Sequence, residues 1–204
     1  MAQNLGLECI RCGKRFGVTA YARGCDACLA QGIAANLTVT DEGATSPPDR
    51  SQLPDEPRSM WRYAPLLHAA AAEAVSLGEG LTPLVPVPEL GLGALWLKDE
   101  SRNPTWSFKD RLASAAVTLA RKLGARVLAS SSSGNAGAAT AAYAARAGLP
   151  CVIVTYAAAA GPMITQMQAY GAMLLSVQES ADRWRVLSAL VDRFGWYPTT
   201  VYFG

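Results

Sequence analysis

The feature that most constrains the fold is an alternation of short apolar runs with alanine-rich stretches, which begins at Met60 and continues to the end of the chain. The apolar runs predict strands, and they are Ala94–Lys98, Arg126–Ser130, Cys151–Thr155 and Met173–Val177. The stretches between them predict helices at Phe108–Leu123, Ala136–Ala147, Pro162–Tyr170 and Ala181–Phe194. Because strands that alternate with helices favour a parallel sheet with right-handed crossovers, we expect an α/β protein. Its ligands should bind at the carboxyl ends of the strands.

Composition divides the chain into three parts. Residues 1–35 hold four of the five cysteines and few large apolar side chains. Residues 36–59 are rich in Pro, Asp and Ser, so we predict an exposed linker there. Residues 60–204 form the α/β part, and half of the whole chain is apolar, which is ample for a buried core. Thr199–Gly204 has the character of a strand with no successor, so we expect the chain to be the N-terminal portion of a longer protein.

The cysteine spacing predicts a structural metal site. Cys9 and Cys12 form one pair and Cys25 and Cys28 another, each with two residues between the thiols. Two such pairs complete a tetrahedral shell of thiolates around zinc, and four protein ligands leave no open position for catalysis. An iron site of the same geometry and a set of merely buried cysteines are the alternatives. Cys151 lies in an apolar strand and is expected to be inert core.

The charge balance argues against nucleic acid or an anionic membrane as the main partner. The formal net charge is only +2, from 18 Lys and Arg against 16 Asp and Glu. The N-terminus lacks the basic start and apolar run of a signal peptide, and the apolar stretches are too short or too interrupted to cross a bilayer. A cytoplasmic protein is the expectation, and there cysteines favour metal over disulfides.

The segment 103–111, with the sequence NPTWSFKDR, contains the main candidate for catalysis. Ser107 is a favourable N-cap with Asp110 three residues on, so a helix should begin at Phe108. Lys109 then lies in the first turn, where the helix dipole and burial both favour a neutral amine. A neutral amine is the form that attacks an aldehyde to give a Schiff base. The alternatives are a solvated lysine, or one paired with Asp110 or Asp99.

A second candidate segment follows the strand that ends at Ser130. Residues 130–137, SSSSGNAG, form a small-residue loop before a predicted helix, and its backbone N–H groups are suited to an anion. Asn135 places a side-chain amide at the mouth of this loop. Its alternative role is that of the helix N-cap.

Together these motifs resemble those of fold-type II pyridoxal-phosphate enzymes, the tryptophan synthase β-like fold. Within that group the segment 76–84, SLGEGLTPL, the FKDR sequence and a preceding zinc ribbon are most similar to threonine synthases. The segments 61–67, WRYAPLL, and 168–172, QAYGA, also resemble their sequences. The resemblance covers nearly the whole chain except the linker.

The resemblance implies a role for each candidate residue. Lys109 would bind the pyridoxal phosphate cofactor and move protons on the substrate carbons, Asn135 would hydrogen-bond the cofactor's phenolic oxygen, and Phe108 would pack near the ring. The substrate carboxylate would bind to the loop residues Ser131, Ser132, Ser133 and Gly134.

The implied activity is conversion of O-phospho-L-homoserine and water to L-threonine and phosphate, with a small amino acid as the partner. A serine or threonine dehydratase, or a related amino-acid lyase, is the first alternative. The second is a zinc-ribbon binding module on an inactive scaffold, which would bind protein or nucleic acid. A homo-oligomer is compatible with each of these.

Two departures from threonine synthases stand out. Trp106 and Leu112 occupy positions where threonine synthases commonly have glycine, so the substrate pocket should differ in shape. The glycine-rich loop that holds the cofactor phosphate, and the hydroxyl residue that meets the pyridine nitrogen, have no counterpart in the 204 residues.

Overall fold

A computed structural model describes residues 5–19, 23–41, 49–67, 69–88, 91 and 94–200. The strands are β1 (Leu5–Cys9), β2 (Arg15–Phe16), β3 (Leu37–Asp41), β4 (Leu84–Pro86), β5 (Trp96–Lys98), β6 (Leu128–Ser131), β7 (Cys151–Tyr156), β8 (Met173–Val177) and β9 (Tyr197–Pro198). The α-helices are α1 (Asp26–Leu29), α2 (Lys109–Lys122), α3 (Asn135–Ala147), α4 (Gly161–Ala169) and α5 (Asp182–Phe194). Short 3-10 turns occupy Arg50–Gln52, Met60–Leu66, Ala71–Glu73 and Glu100–Arg102.

The N-terminal part is a three-stranded antiparallel sheet in the order β2–β1–β3. It packs on a small core formed by Cys9, Cys25, Cys28 and Ala35. Strand β3 pairs along its whole length with β1, so the sheet extends to Asp41 and includes residues that the sequence assigns to the linker 36–59. The β-branched side chains of β3 suit a pleated surface, which explains this difference. Residues 42–48 of the predicted linker lie outside the described residues.

The α/β part is built on a four-stranded parallel sheet in the order β8–β7–β6–β9, which confirms the predicted fold class. Successive side chains of a strand point to opposite faces. Leu128 and Ile153 accordingly pack in the cluster that contains α2 and α3, whereas Ala129 and Val154 pack against Leu187 of α5. The sheet is therefore covered on both faces, as parallel sheets require.

One predicted strand is not part of this sheet. The segment Ala94–Lys98 contains β5, which pairs antiparallel with β4 in a separate two-stranded ribbon. The large side chains Leu84, Trp96 and Leu97 are exposed in this ribbon, whereas β6 is buried throughout. Burial on both faces is what a parallel strand needs, and a short run with a terminal lysine does not supply it.

Strand β9 and the four long helices lie close to the positions predicted from the sequence. The four long helices begin and end within one residue of their predicted bounds. The predicted strand start at Thr199–Gly204 corresponds to β9, two residues earlier, and Thr199 N–H continues its pairing by donating to Ala129 O at 2.9 Å. Residues 201–204 lie outside the described residues. Within the described ranges, the helices are too short or too polar to cross a membrane.

The topology brings two helix N-termini to one edge of the sheet. Helix α2 leads through a short turn into β6, and β6 leads through a short loop into α3. Both helices therefore begin on the side where β6 ends, and they pack against each other. This is the edge at which α/β proteins bind ligands.

Candidate active site and metal centre

Lys109 is the first residue of α2 and lies at the ligand edge of the sheet. The helix begins one residue later than predicted, because Phe108 is its cap residue and the Ser107 hydroxyl accepts from Lys109 N–H at 3.2 Å. Lys109 is half-buried, and its Nζ lies 4.4 Å from the centroid of the Phe108 ring. Within the described residues, Lys109 makes no ion pair with Asp110 or Asp99, so the amine is available to a ligand.

Asp110 anchors the loop that leads to Lys109. Its buried carboxylate accepts hydrogen bonds from Thr105 N–H at 3.0 Å and from the Thr105 hydroxyl at 2.9 Å. Burial raises the pKa of Asp110, against the opposing effect of the bonds from Thr105. The carboxylate therefore ties Thr105 to the first turn of α2 and closes the loop that leads to Lys109.

Trp106 has an unusual backbone conformation within this loop. Its φ is +65°, in the left-handed region that glycine and asparagine favour, and its N–H donates to Asn103 O at 2.8 Å. A left-handed conformation costs an ordinary L-residue roughly 1–2 kcal/mol. The sequence shows Trp106 at a position where similar sequences commonly have glycine, but it does not predict the left-handed conformation of this residue.

Residues 130–137, which we call the serine loop, connect β6 to α3. Their polar groups differ in whether they have a hydrogen-bond partner. The buried Ser132 hydroxyl accepts from Gly137 N–H at 2.8 Å and Gly134 N–H at 3.3 Å, so it caps the first turn of α3. The Ser131 N–H donates to the Thr200 hydroxyl at 2.9 Å. The Ser131 hydroxyl is buried without a hydrogen-bond partner in the described structure, which marks it as a free group beside the loop.

Asn135 is exposed at the start of α3 and is not the helix cap. Gly134 occupies the cap position, and it makes no side-chain cap bond. The alternative explanation of Asn135 as an N-cap is therefore wrong for this chain. Ser133 and Gly134 are half-buried in the same loop. The structure thus brings Asn135, Ser131–Gly134 and Lys109 to the same edge of the sheet.

Sequence reasoning missed a buried carboxylate network behind this edge. Glu79 is fully buried and accepts from Trp61 Nε1 at 2.9 Å, Tyr143 OH at 2.8 Å, and the Ser76 hydroxyl and Leu77 N–H at 3.0 Å. Burial and the adjacent Glu79 raise the pKa of Tyr143. The network joins the segment before β4 to α3. The sequence signal that could have indicated this network is Glu79, the single carboxylate of the segment SLGEGLTPL. That segment served above only as a point of resemblance.

A second polar network holds the start of α2 to the preceding turn. The Arg111 guanidinium donates to both carboxylate oxygens of Glu100 at 2.8 Å, and Thr82 donates to the same carboxylate at 2.6 Å. Arg111 is the main reason that the pKa of Glu100 is lowered to about 2. A planar, bidentate ion pair of this kind fixes orientation as well as distance.

The four cysteines of the N-terminal sheet converge as the spacing predicts. All four Sγ atoms lie within 4.8 Å of one another, with 3.8 Å between Cys9 and Cys28 and 3.7 Å between Cys12 and Cys25. Four thiolates at about 2.3 Å from a central zinc ion would be separated by about 3.8 Å, so the donor set fits tetrahedral zinc. Hydrogen bonds from the backbone, first that of Cys12, lower the pKa of Cys9 to about 6, whereas burial raises the pKa of Cys28 to about 12.

Comparison with known proteins gives the family. Residues 75–203 match the family model described as pyridoxal-phosphate dependent enzyme. The chain belongs to this family. The match begins shortly before Glu79, leaves out its partner Trp61, and includes Lys109, the serine loop and Asn135.

Curated relatives within the family are threonine synthases. The chain is 36% identical over 181 residues to the threonine synthase of Methanosarcina acetivorans, and 42% identical over 113 residues to that of Halalkalibacterium halodurans. These alignments cover 86% and 53% of this chain but only 43% and 32% of the relatives. The chain thus spans less than half the length of the threonine synthases that it matches.

Solved structures share the fold of part of this chain. An O-ureido-L-serine synthase superposes with a TM-score of 0.52 at 28% identity, over 58% of this chain and 40% of that one. A pyridoxal 5'-phosphate-dependent aspartate racemase gives a TM-score of 0.54 at 28% identity, over 57% and 39%. The diaminopropionate ammonia lyase of Escherichia coli, at 21% identity and a TM-score of 0.55, supports the fold alone.

Proposed function

We propose that this chain acts as a threonine synthase-like enzyme, which converts O-phospho-L-homoserine and water to L-threonine and phosphate. The observation that carries the proposal is Lys109, an amine at the ligand edge of the sheet without an ion-pair partner in the described structure. The similarity to threonine synthases over 86% of the chain supports the choice of substrate.

Lys109, Phe108 and Asn135 fit the aldehyde, ring and phenolic-oxygen side of pyridoxal phosphate, which the family uses, whereas the loop for its phosphate has no counterpart in the 204 residues. Lys109 offers a half-buried amine, Phe108 offers an exposed ring beside it, and the Asn135 amide is exposed and takes no part in capping α3. We propose that Lys109 binds the cofactor at its aldehyde carbon, that Asn135 hydrogen-bonds its phenolic oxygen, and that Phe108 packs near its ring. When bound, pyridoxal phosphate supplies an electron sink for the carbanion that forms at the substrate Cα.

The protein's own groups would position the substrate and move its protons. Lys109, as a free amine, would remove the Cα proton and return protons along the side chain. Over the whole reaction, one Cβ proton and the Cγ phosphate are lost, and water then supplies a hydroxyl to Cβ and a proton to Cγ. We assign the substrate carboxylate to the loop Ser131–Gly134, with the Ser133 N–H and the Ser131 hydroxyl as donors, whereas the Gly134 N–H is bonded to Ser132. Ser132 would act through the loop that its hydroxyl holds together.

The test is to measure L-threonine and phosphate formed from O-phospho-L-homoserine by the full chain and by Lys109→Ala. Loss of the proton-transferring amine should lower the rate by about 10²–10⁴-fold. Lys122→Ala, at the other end of the same helix, is the matched control and should retain the rate. Equal rates for wild type and Lys109→Ala would contradict the proposal, and release of a ketoacid and ammonia would indicate the dehydratase.

Cofactor attachment can be tested independently of turnover. Borohydride reduction of the chain loaded with pyridoxal phosphate should fix the cofactor to the tryptic peptide that carries Lys109, as read by mass spectrometry. The same treatment of Lys109→Ala should leave that peptide unmodified. Attachment to other lysines in equal measure would count against Lys109 as the cofactor residue.

We also propose that the four cysteines bind a structural zinc ion. Sulfur separations of 3.7 and 3.8 Å support this assignment, as does the burial of three of the four thiols. A four-thiolate site has no open coordination position, so its contribution would be to the stability of the N-terminal sheet.

A further inference from the structure

A cleft of about 560 Å³ lies at the edge of the parallel sheet opposite to the candidate active site. It is bounded by the turn between α2 and β6 and by the turn between α5 and β9, so it lies at the amino ends of both strands. Lys109 and the serine loop lie instead on the side where β6 ends. The cleft is therefore a second concave site, and its volume is within the range of small-molecule sites.

Three aromatic residues line the cleft, namely Phe194, Trp196 and Tyr197. The rings of Phe194 and Trp196 are stacked, with 5.1 Å between their centroids and 23° between their planes. Phe194 is 53% exposed, so a large part of its surface is left uncovered by the described chain. Such rings suit a planar aromatic ligand, because ring pairs are favourable beyond the area that they bury.

The cleft also contains polar groups without a protein partner. Within the described residues, the Arg126 guanidinium forms no ion pair or hydrogen bond, and neither does the Tyr197 hydroxyl. Burial raises the pKa of Tyr197, so its hydroxyl keeps its proton and can donate. Among the described residues that line the cleft, Arg126 alone carries a charge, and the carboxylate of Asp192 nearby on α5 is paired with Arg23. The charge of the lining is thus complementary to an anion.

We propose that this cleft binds a small planar aromatic acid, a ring that carries one carboxylate. The ring contacts Phe194 and Trp196, and the carboxylate accepts from the Arg126 guanidinium, whose planar fork matches a carboxylate. Helices α2 and α5 both end at the cleft, and their negative dipole ends disfavour a doubly charged group such as phosphate. The site does not depend on the proposed function, because none of these residues belongs to the site around Lys109.

The test compares indole-3-acetate with indole-3-acetamide, an uncharged ligand of nearly the same shape. Each is titrated into the full isotope-labelled chain, and Kd is read from the shifts of the backbone N–H resonances of Gly124 and Gly195, which line the cleft. Indole-3-acetate should shift both resonances. The acetamide should bind about tenfold more weakly or worse, because it loses a charge-assisted bond to Arg126.

Three variants separate the charge from the ring. Arg126→Gln should weaken the binding of indole-3-acetate by about tenfold and leave that of the acetamide unchanged. Arg146→Gln is the matched control, since Arg146 is an exposed arginine near the end of α3, at the same edge of the sheet, and does not line the cleft. Phe194→Leu should weaken both ligands, because it removes the ring and keeps an apolar side chain.

Four results would overturn the inference. Unshifted resonances of Gly124 and Gly195 at millimolar indole-3-acetate would show that the cleft does not take this class of ligand. Equal affinity of the wild-type chain for the two ligands would show that the charge is not recognised. An equal loss in Arg126→Gln and Arg146→Gln would indicate a general effect of net charge. Shifts at Gly134 in place of Gly124 would locate the ligand in the serine loop.

Discussion

The fully buried carboxylate of Glu79 is satisfied only by donors. Trp61, Ser76, Leu77 and Tyr143 all donate to its two oxygens. A glutamine at this position would turn an N–H₂ group toward some of these donors. Because a buried polar group without a partner costs about 1–3 kcal/mol, we expect Glu79→Gln to lower the free energy of unfolding by that amount.

Urea unfolding followed by circular dichroism measures this difference. Glu179→Gln is the matched control, since Glu179 is exposed, and it should change the free energy of unfolding very little. Equal stability of Glu79→Gln and wild type would show that Tyr143 and Ser76 reorient to accept from the amide.

Glu100 gives a pH-dependent contribution to stability. Arg111 is the main cause that lowers the pKa of Glu100 from 4.5 to about 2 in the folded chain. A carboxylate whose pKa is lower in the folded state stabilises the fold above its unfolded pKa, and this contribution is lost as the pH falls to the folded value. Wild type should therefore lose its advantage over Glu100→Gln between pH 4.5 and about 2.

The comparison with Glu100→Gln is needed because other carboxyls titrate in the same range. Burial raises the pKa of Asp110, so its contribution changes in the opposite direction. Subtracting the free energy of unfolding of Glu100→Gln from that of wild type at each pH isolates Glu100. A difference that stays constant over the whole window would exclude a role for the Arg111 ion pair.

At the scale of elements, the N-terminal sheet is the part that a metal should stabilise. Its core consists largely of the cysteines themselves, with Ala35 as the remaining buried member. So small a core supplies little hydrophobic stabilisation, and metal binding would provide much of the folding free energy. We expect about one zinc per chain by elemental analysis, and loss of that zinc in Cys25→Ser.

Cys151→Ser is the matched control, because Cys151 lies in β7, far along the chain from the other four cysteines. It should keep the zinc. Zinc retained in Cys25→Ser and lost in Cys151→Ser would contradict the assignment of ligands. Iron in place of zinc would preserve the site and correct only its metal.

The helices were predictable from sequence because periodicity and cap residues determine them locally. Gly148 caps the C-terminus of α3 and Gly195 that of α5, both in the left-handed conformation, and both glycines are visible in the sequence. The strand β5 was placed in the wrong sheet because pairing depends on partners distant in sequence. The apolar run at residues 94–98 correctly predicted a strand, but no local sequence pattern indicated that β4 would be its partner.

The candidate site was predictable to a similar degree. The sequence placed Lys109 and Asn135 at the starts of two helices, and they are the first residues of α2 and α3, while the sulfurs of the four cysteines converge as their spacing predicted. The chemical roles of these residues stay predictions. The capping role of Ser132 was not foreseen, because several adjacent serines offer the same hydroxyl. The left-handed backbone of Trp106 was not foreseen either, since it is imposed by Asn103 and Thr105 through contacts that no local pattern encodes.

At the scale of the whole molecule, two regions are joined by few described contacts. The Arg23 guanidinium of the N-terminal sheet pairs with the Asp192 carboxylate of α5. Both side chains are about half exposed, at 50% and 48%, so solvent screens the pair and its contribution to stability is small. Within the described residues, the N-terminal sheet has a core of its own and the parallel sheet has apolar clusters on its two faces, and this exposed ion pair adds little to either.

The pairing of β9 with β6 has a consequence for the order in which the chain can assemble. Strands β6, β7 and β8 add in the order in which they leave the ribosome, but β9 must return to the opposite side of β6. The hydroxyl of Thr200, which follows β9, accepts a hydrogen bond from the Ser131 N–H, and the two residues are 69 positions apart in the sequence. Contacts so distant in sequence form slowly, because the intervening loop must close first. The Ser131 N–H of the nascent chain thus gains this hydrogen bond only when synthesis has passed β9 and Thr200, and until then the start of the serine loop lacks that anchor.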